Sequence, residues 1–109
     1  MLKKQYVKSR KVAKVTFQLT LNQIPEELPA DNVFIVGEFN DWDLASTPMR
    51  YNKKKKTFTV TLDLEPGRQY QFRYFVDSVY WCNDWEADGY IASGFGHDNS
   101  VVSTPEQAQ

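Results

Sequence analysis

Apolar residues fall on every second position over much of the chain, which is the period of a half-buried β-strand. Val15, Phe17, Leu19 and Leu21 alternate with Thr16, Gln18 and Thr20. Residues 32–37 form a nearly continuous apolar run, as expected of a strand near the middle of a sheet. A short strand is expected over 49–51. Residues 57–64 set Phe58, Val60, Leu62 and Leu64 on one face, and residues 69–76 do the same with Tyr70, Phe72, Tyr74 and Val76. A short return strand is expected over 79–81 and a last one over 100–103. Turn chemistry separates these runs. Pro25 and Pro29 lie in a loop over 22–31, and Glu65-Pro66-Gly67 supplies a preset bend followed by a residue that accepts positive φ. Asp77-Ser78 reads as a tight turn, and 92–99, with two glycines, as a loop. Seven short strands with no helical period predict an all-β, antiparallel β-sandwich over 12–103. Residues 1–11 are expected to form a flexible basic arm and 104–109 a frayed tail.

The length, 109 residues, suits one domain and one core, with roughly 60–70% of the unfolded chain's surface buried. Aromatics make up 15%, a share that favours strands and stacking surfaces. The net charge of −1 gives the whole chain no pull on polyanions. Its distribution is uneven, because Lys3, Lys4, Lys8, Arg10, Lys11 and Lys14 precede the first acid. Such an arm is ordinarily a solvated terminus, so no nucleic-acid partner is expected. The lysine run 53–56 reads as a solvated hairpin tip that shields an edge. Cys82 is the only cysteine, which excludes an intrachain disulfide. No signal-type apolar run follows the N-terminal lysines, and no stretch reaches membrane-spanning length. A cytoplasmic monomer is expected, with no membrane partner.

Little here suits catalysis. His97 is the only histidine, and no orienting carboxylate accompanies it in its Gly-rich loop. No zinc spacing and no phosphate loop occur, so neither a metal nor a cofactor is expected. Asp84, Glu86 and Asp88 offer oxygen ligands, but such a run is more ordinarily a solvated loop. The tryptophans carry more information. Trp42 follows the central strand in Phe39-Asn40-Asp41-Trp42-Asp43, with Phe39 placed to plug the core. Its ring is either a lid on the sandwich or a flat surface offered to solvent. Period two puts Trp81 opposite Tyr80 and Cys82, and Arg73 opposite Phe72 and Tyr74. Trp85 either packs or adds a further ring. A pyranose has a C–H face that suits an indole and a rim of hydroxyls that suits Arg73 and Asn99.

At these residues the chain resembles carbohydrate-binding module family 48. Val33-Phe34-Ile35-Val36-Gly37-Glu38-Phe39-Asn40-Asp41-Trp42 is similar to its "hydrophobic strand, Gly-x-Phe-Asn-x-Trp" segment. The likeness continues through Leu62-Asp63-Leu64-Glu65-Pro66-Gly67, Tyr70-Gln71-Phe72-Arg73-Tyr74-Phe75-Val76-Asp77, the segment 81–90 and the segment 95–102. The resemblance implies an immunoglobulin-like sandwich of the early-set type that binds α-1,4-glucan (glycogen, starch-like chains or malto-oligosaccharides) without catalysis. It places the stacking rings on Trp42 and Trp81, the basic strand residue on Arg73, the inserting apolar loop residue on Phe95 and the hydrogen-bonding amide on Asn99. Trp85 and His97, which depart from the family pattern, are additional candidates, as Ser78 departs in the turn. Relatives in glycoside hydrolase family 13 carry such a domain ahead of a catalytic barrel, and no barrel is expected within these 109 residues. The alternative is an early-set domain that docks a glycogen-metabolising enzyme and binds no sugar. Exposure of Trp42 and Trp81 separates the two.

Overall fold

The computed structural model describes residues 2–94 and 96–106. Nine strands follow in order: β1 (Leu2–Val7), β2 (Val12–Thr20), β3 (Val33–Gly37), β4 (Arg50–Asn52), β5 (Thr57–Leu64), β6 (Gln69–Val76), β7 (Tyr80–Cys82), β8 (Gly89–Ala92) and β9 (Asp98–Ser103). One antiparallel sheet has the order β1-β2-β5-β4. The other has the order β3-β6-β9-β8, with β7 also paired to β6. The two sheets pack as a β-sandwich, as the alternation predicts.

The core lies where the period-two faces meet. Val15, Phe17 and Leu19 of β2 point inward against Phe72, Tyr74 and Val76 of β6, with Ile35 of β3 and Val102 of β9. Each such buried side chain stabilises the fold by about 1.5–3 kcal/mol. The rings interlock: Phe72 meets Phe17 edge-on at 5.1 Å and Tyr74 at 5.6 Å. Phe39 closes one end, with its centroid 5.6 Å from that of Phe17, and is the expected plug. The lysines of 53–56 form the turn between β4 and β5.

The structure has nine strands among the described residues where seven were expected, and both additions have the same cause. Residues 2–7 are not a flexible arm. They pair along their whole length with β2, from Leu2 opposite Phe17 to Val7 opposite Val12, and residues 8–11 make the connecting turn. Lys4 Nζ reaches Asp88 at 2.5 Å, and Arg10 reaches Asp63 at 2.8 Å. Main-chain bonds to a neighbour hold an edge strand without any apolar alternation of its own, and edge lysines keep other chains from adding to it. Likewise β8 pairs with β9, which starts two residues earlier than expected. The tail is also held at its start. Thr104 is buried, donates its N–H to Arg68 O at 2.8 Å and its hydroxyl to Glu65 O at 2.7 Å. The rest of the expected frayed segment, beyond 106, lies outside the described residues.

Asp77-Ser78 forms the predicted tight turn. Both residues have positive φ (52° and 59°), and Val79 N–H closes the loop on Val76 O at 3.1 Å. This is the twist that two-residue hairpins favour, here without the usual glycine. Asp77 offsets the strain, because its carboxylate accepts the N–H groups of Ala30, Asp31 and Asn32 at 2.8, 2.8 and 3.0 Å. β7 therefore returns with Trp81 opposite Phe75.

Candidate functional site

The site grows from the outer face of the β3-β6-β9 sheet. Where β3 ends, Gly37 lies so close to β6 that an added Cβ would sit 2.6 Å from Gln71 O and 2.8 Å from Phe72 Cβ. The chain then makes a single 3-10 turn over Glu38–Asn40. Asp41 and Trp42 follow, both left-handed, with φ of 55° and 58°. Two consecutive non-glycine residues in this region each cost on the order of 1 kcal/mol and persist only where neighbours hold them. Asn40 does the holding. Its Oδ1 accepts Gly37 N–H, and its Nδ2 donates to Ile35 O and Thr47 Oγ1, all at 3.0 Å. Trp42 N–H bonds Gly37 O at 2.8 Å. The Trp42 ring is left 38% exposed.

Along β6, Phe72 and Tyr74 enter the core, so Gln71, Arg73 and Phe75 turn outward. Trp81 lies flat on Phe75, with centroids 4.3 Å apart and planes 29° apart. Its second neighbour is Arg73, whose Cζ sits 5.6 Å from the ring centre. Burial lowers the Arg73 pKa from the usual guanidinium value, yet the group remains a cation. From β9, Asn99 is buried and donates Nδ2 to Gln71 Oε1 at 3.1 Å. Two buried atoms on this face have no hydrogen-bond partner, Arg73 Nε and Asn99 Oδ1. Leaving a buried polar atom unpaired costs about 1–3 kcal/mol.

Ser93 and His97 form the far wall. Ser93 donates both its N–H and its hydroxyl to His97 O, at 3.0 and 2.8 Å. Trp42, Arg73, Trp81, Ser93, His97 and Asn99 together line an open cleft of about 390 Å³. A larger depression, about 610 Å³, lies near Leu21, Ile24 and Lys56, but among the described residues no aromatic ring lines it. The cleft is the one with the chemistry.

Of the residues expected from the sequence, Trp42, Arg73, Trp81, His97 and Asn99 come together in this cleft. Phe95 lies outside the described residues. Trp85 is 65% exposed and does not line the cleft. The acidic run is not a uniformly solvated loop, because Asp84 is buried. It accepts the Tyr74 hydroxyl at 2.7 Å, while its N–H bonds Ser100 Oγ at 2.9 Å. Ser100 in turn donates to Asn83, whose Nδ2 holds Asp98 O at 2.9 Å, so this network fixes the strand that carries Asn99. Among the described residues no group of three His, Cys, Asp or Glu could hold a metal ion. Sequence reasoning missed Ser93 and Gln71. Gln71 had a signal, since it lies two residues before Arg73 and so shares its face.

A sandwich that sets indole faces beside a guanidinium and an amide in an open cleft has the make-up of a carbohydrate-recognition module. Residues 25–107 match the family described as the glycogen recognition site of AMP-activated protein kinase, and the chain belongs to that family. No curated protein sequence matches the chain. Among solved structures, ferric enterobactin esterase from Salmonella typhimurium is similar, with a TM-score of 0.75 at 11% identity. The match covers 99% of this chain and 35% of that one, so this chain spans about a third of the esterase's length. At that identity the likeness is one of fold.

Proposed function

We propose that the cleft binds α-1,4-glucan chains (glycogen or malto-oligosaccharide) by stacking sugar rings on Trp42 and Trp81. Arg73 and Asn99 bond the hydroxyls, and Ser93 and His97 border the chain. One observation carries the reading: two indoles share one open cleft with the side chains of Arg73 and Asn99. Each stacked ring contributes on the order of 1 kcal/mol beyond its area burial. A shallow site of this kind binds in the micromolar to millimolar range, about −8 to −4 kcal/mol.

The proposed role is binding without chemistry. Glycoside hydrolysis takes two carboxyl groups roughly 5–10 Å apart across the sugar, and among the described residues no carboxylate lines this cleft. The test is a titration with maltoheptaose or β-cyclodextrin, followed by tryptophan fluorescence and amide NMR. Shifts are expected at Trp42, Arg73, Trp81 and Asn99, and Trp42→Ala removes the response while the fold survives. Silence at millimolar sugar overturns the reading. The second reading, docking onto a glycogen-metabolising enzyme, is favoured by the exposed Trp85 and by the exposed Tyr90 and Ile91 of β8.

A further inference from the structure

We infer that His97 bonds the glucan through Nε2, which it presents as a bare acceptor because its ring proton is held on Nδ1. The inference rests on the reading of the cleft as a glucan site. A neutral imidazole has one N–H and one acceptor nitrogen, and the partners of one nitrogen decide which is which. Nδ1 has two neighbours, Ser93 Oγ at 3.3 Å and Asp98 O at 3.4 Å. A carbonyl oxygen can only accept. The Ser93 hydroxyl has one proton, and it goes to His97 O at 2.8 Å, the shorter of its two contacts with this residue. Ser93 N–H bonds the same carbonyl at 3.0 Å, which holds the serine in place. Toward the ring, Ser93 Oγ is therefore an acceptor too. Two acceptors make Nδ1 the donor and leave the lone pair on Nε2.

Nε2 lies at the outer end of the ring, and His97 is an exposed residue on the wall of the cleft. Among the described residues nothing bonds Nε2. Arg73, in the same cleft, has only donors to give. A sugar hydroxyl donates one proton and accepts others, so a site that bonds it in both senses takes a donor and an acceptor. The guanidinium supplies the first and His97 Nε2 the second.

His97 is the only histidine, so in tag-free protein nitrogen NMR reads its ring without ambiguity. At about pH 8.5, where histidine side chains are ordinarily neutral, Nδ1 is expected to carry the proton and Nε2 none. A proton on Nε2 overturns the inference. Added maltoheptaose is expected to move the Nε2 resonance toward the protonated range and the Nδ1 resonance less. An Nε2 resonance that stays in place while tryptophan fluorescence responds overturns it as well. Two variants test the need for an acceptor. His97→Gln keeps one, and His97→Lys has donors alone. Calorimetric titration is expected to leave His97→Gln within about twofold of wild type and to weaken His97→Lys about five- to tenfold, the loss of one hydrogen bond. Equal affinity in the two variants overturns the inference. A wild type that fails to bind millimolar maltoheptaose overturns the glucan reading, whereas a proton on Nε2 overturns this inference alone.

Discussion

Replacing Asn40 by alanine removes three hydrogen bonds at once, one accepted from Gly37 N–H and two donated to Ile35 O and Thr47 Oγ1. Each such bond has a net worth of about 0.5–1.5 kcal/mol, and the groups left behind are half-buried, so a loss of about 2–3 kcal/mol is expected. For a domain of this length 1 kcal/mol corresponds to about 4 °C, which puts the fall in melting temperature near 10 °C. The functional effect runs through Trp42. Asp41 and Trp42 keep their left-handed backbone only while the loop is clamped. Released, the Trp42 ring no longer stands ready to stack, and the loss of about 1 kcal/mol weakens maltoheptaose about fivefold. Circular dichroism melts and fluorescence titration measure the two effects. Asn40→Asp, which keeps the acceptor for Gly37 but not the two donors, falls between wild type and Asn40→Ala. A melting temperature within about 2 °C of wild type together with unaltered sugar affinity would refute the clamp.

The Tyr74 hydroxyl on Asp84 lies on the core side of β6, away from the cleft. Tyr74→Phe is expected to cost about 1–3 kcal/mol in thermal denaturation, and a melting temperature equal to that of wild type would contradict that placement. Burial pushes the Cys82 thiol from its ordinary 9.0 up to about 12, and burial with Asp84 raises the Tyr74 phenol well above 10.0. The unfolded chain therefore sheds these protons first, and stability falls as pH rises from about 9 toward 12. Melting temperatures at about pH 8 and pH 10.5 measure the slope, which Cys82→Ala makes shallower; an unchanged slope would remove the thiol from the account.

The parts of the fold that were legible are those whose burial is written in local alternation. β2, β5 and β6 each bury one face, so Phe17, Phe58 and Phe72 announce their strands. β1 and β8 are edge strands held by pairing to β2 and β9, a contact between distant segments that no local window contains. The same distinction governs the site. Arg73 and Trp81 could be assigned a face by period two, because each lies in a strand. Trp42 could not, since its aim depends on Asn40 and on two left-handed residues in a loop. Asp84 looked like one more solvated acid, and only the fold reveals that it meets Tyr74 inside the protein.

β6 sends Phe72 and Tyr74 into the interior and Gln71 and Arg73 to the opposite face, where Arg73 lines the cleft. A single codon gained or lost within it would reverse the two sets, putting a guanidinium among phenyl rings and a benzene ring where the sugar would lie. A one-residue insertion or deletion in this stretch is thus expected to misfold the chain. The lysine tip at 53–56, which touches neither the interior nor the cleft, is the place to graft a tag or a fluorophore.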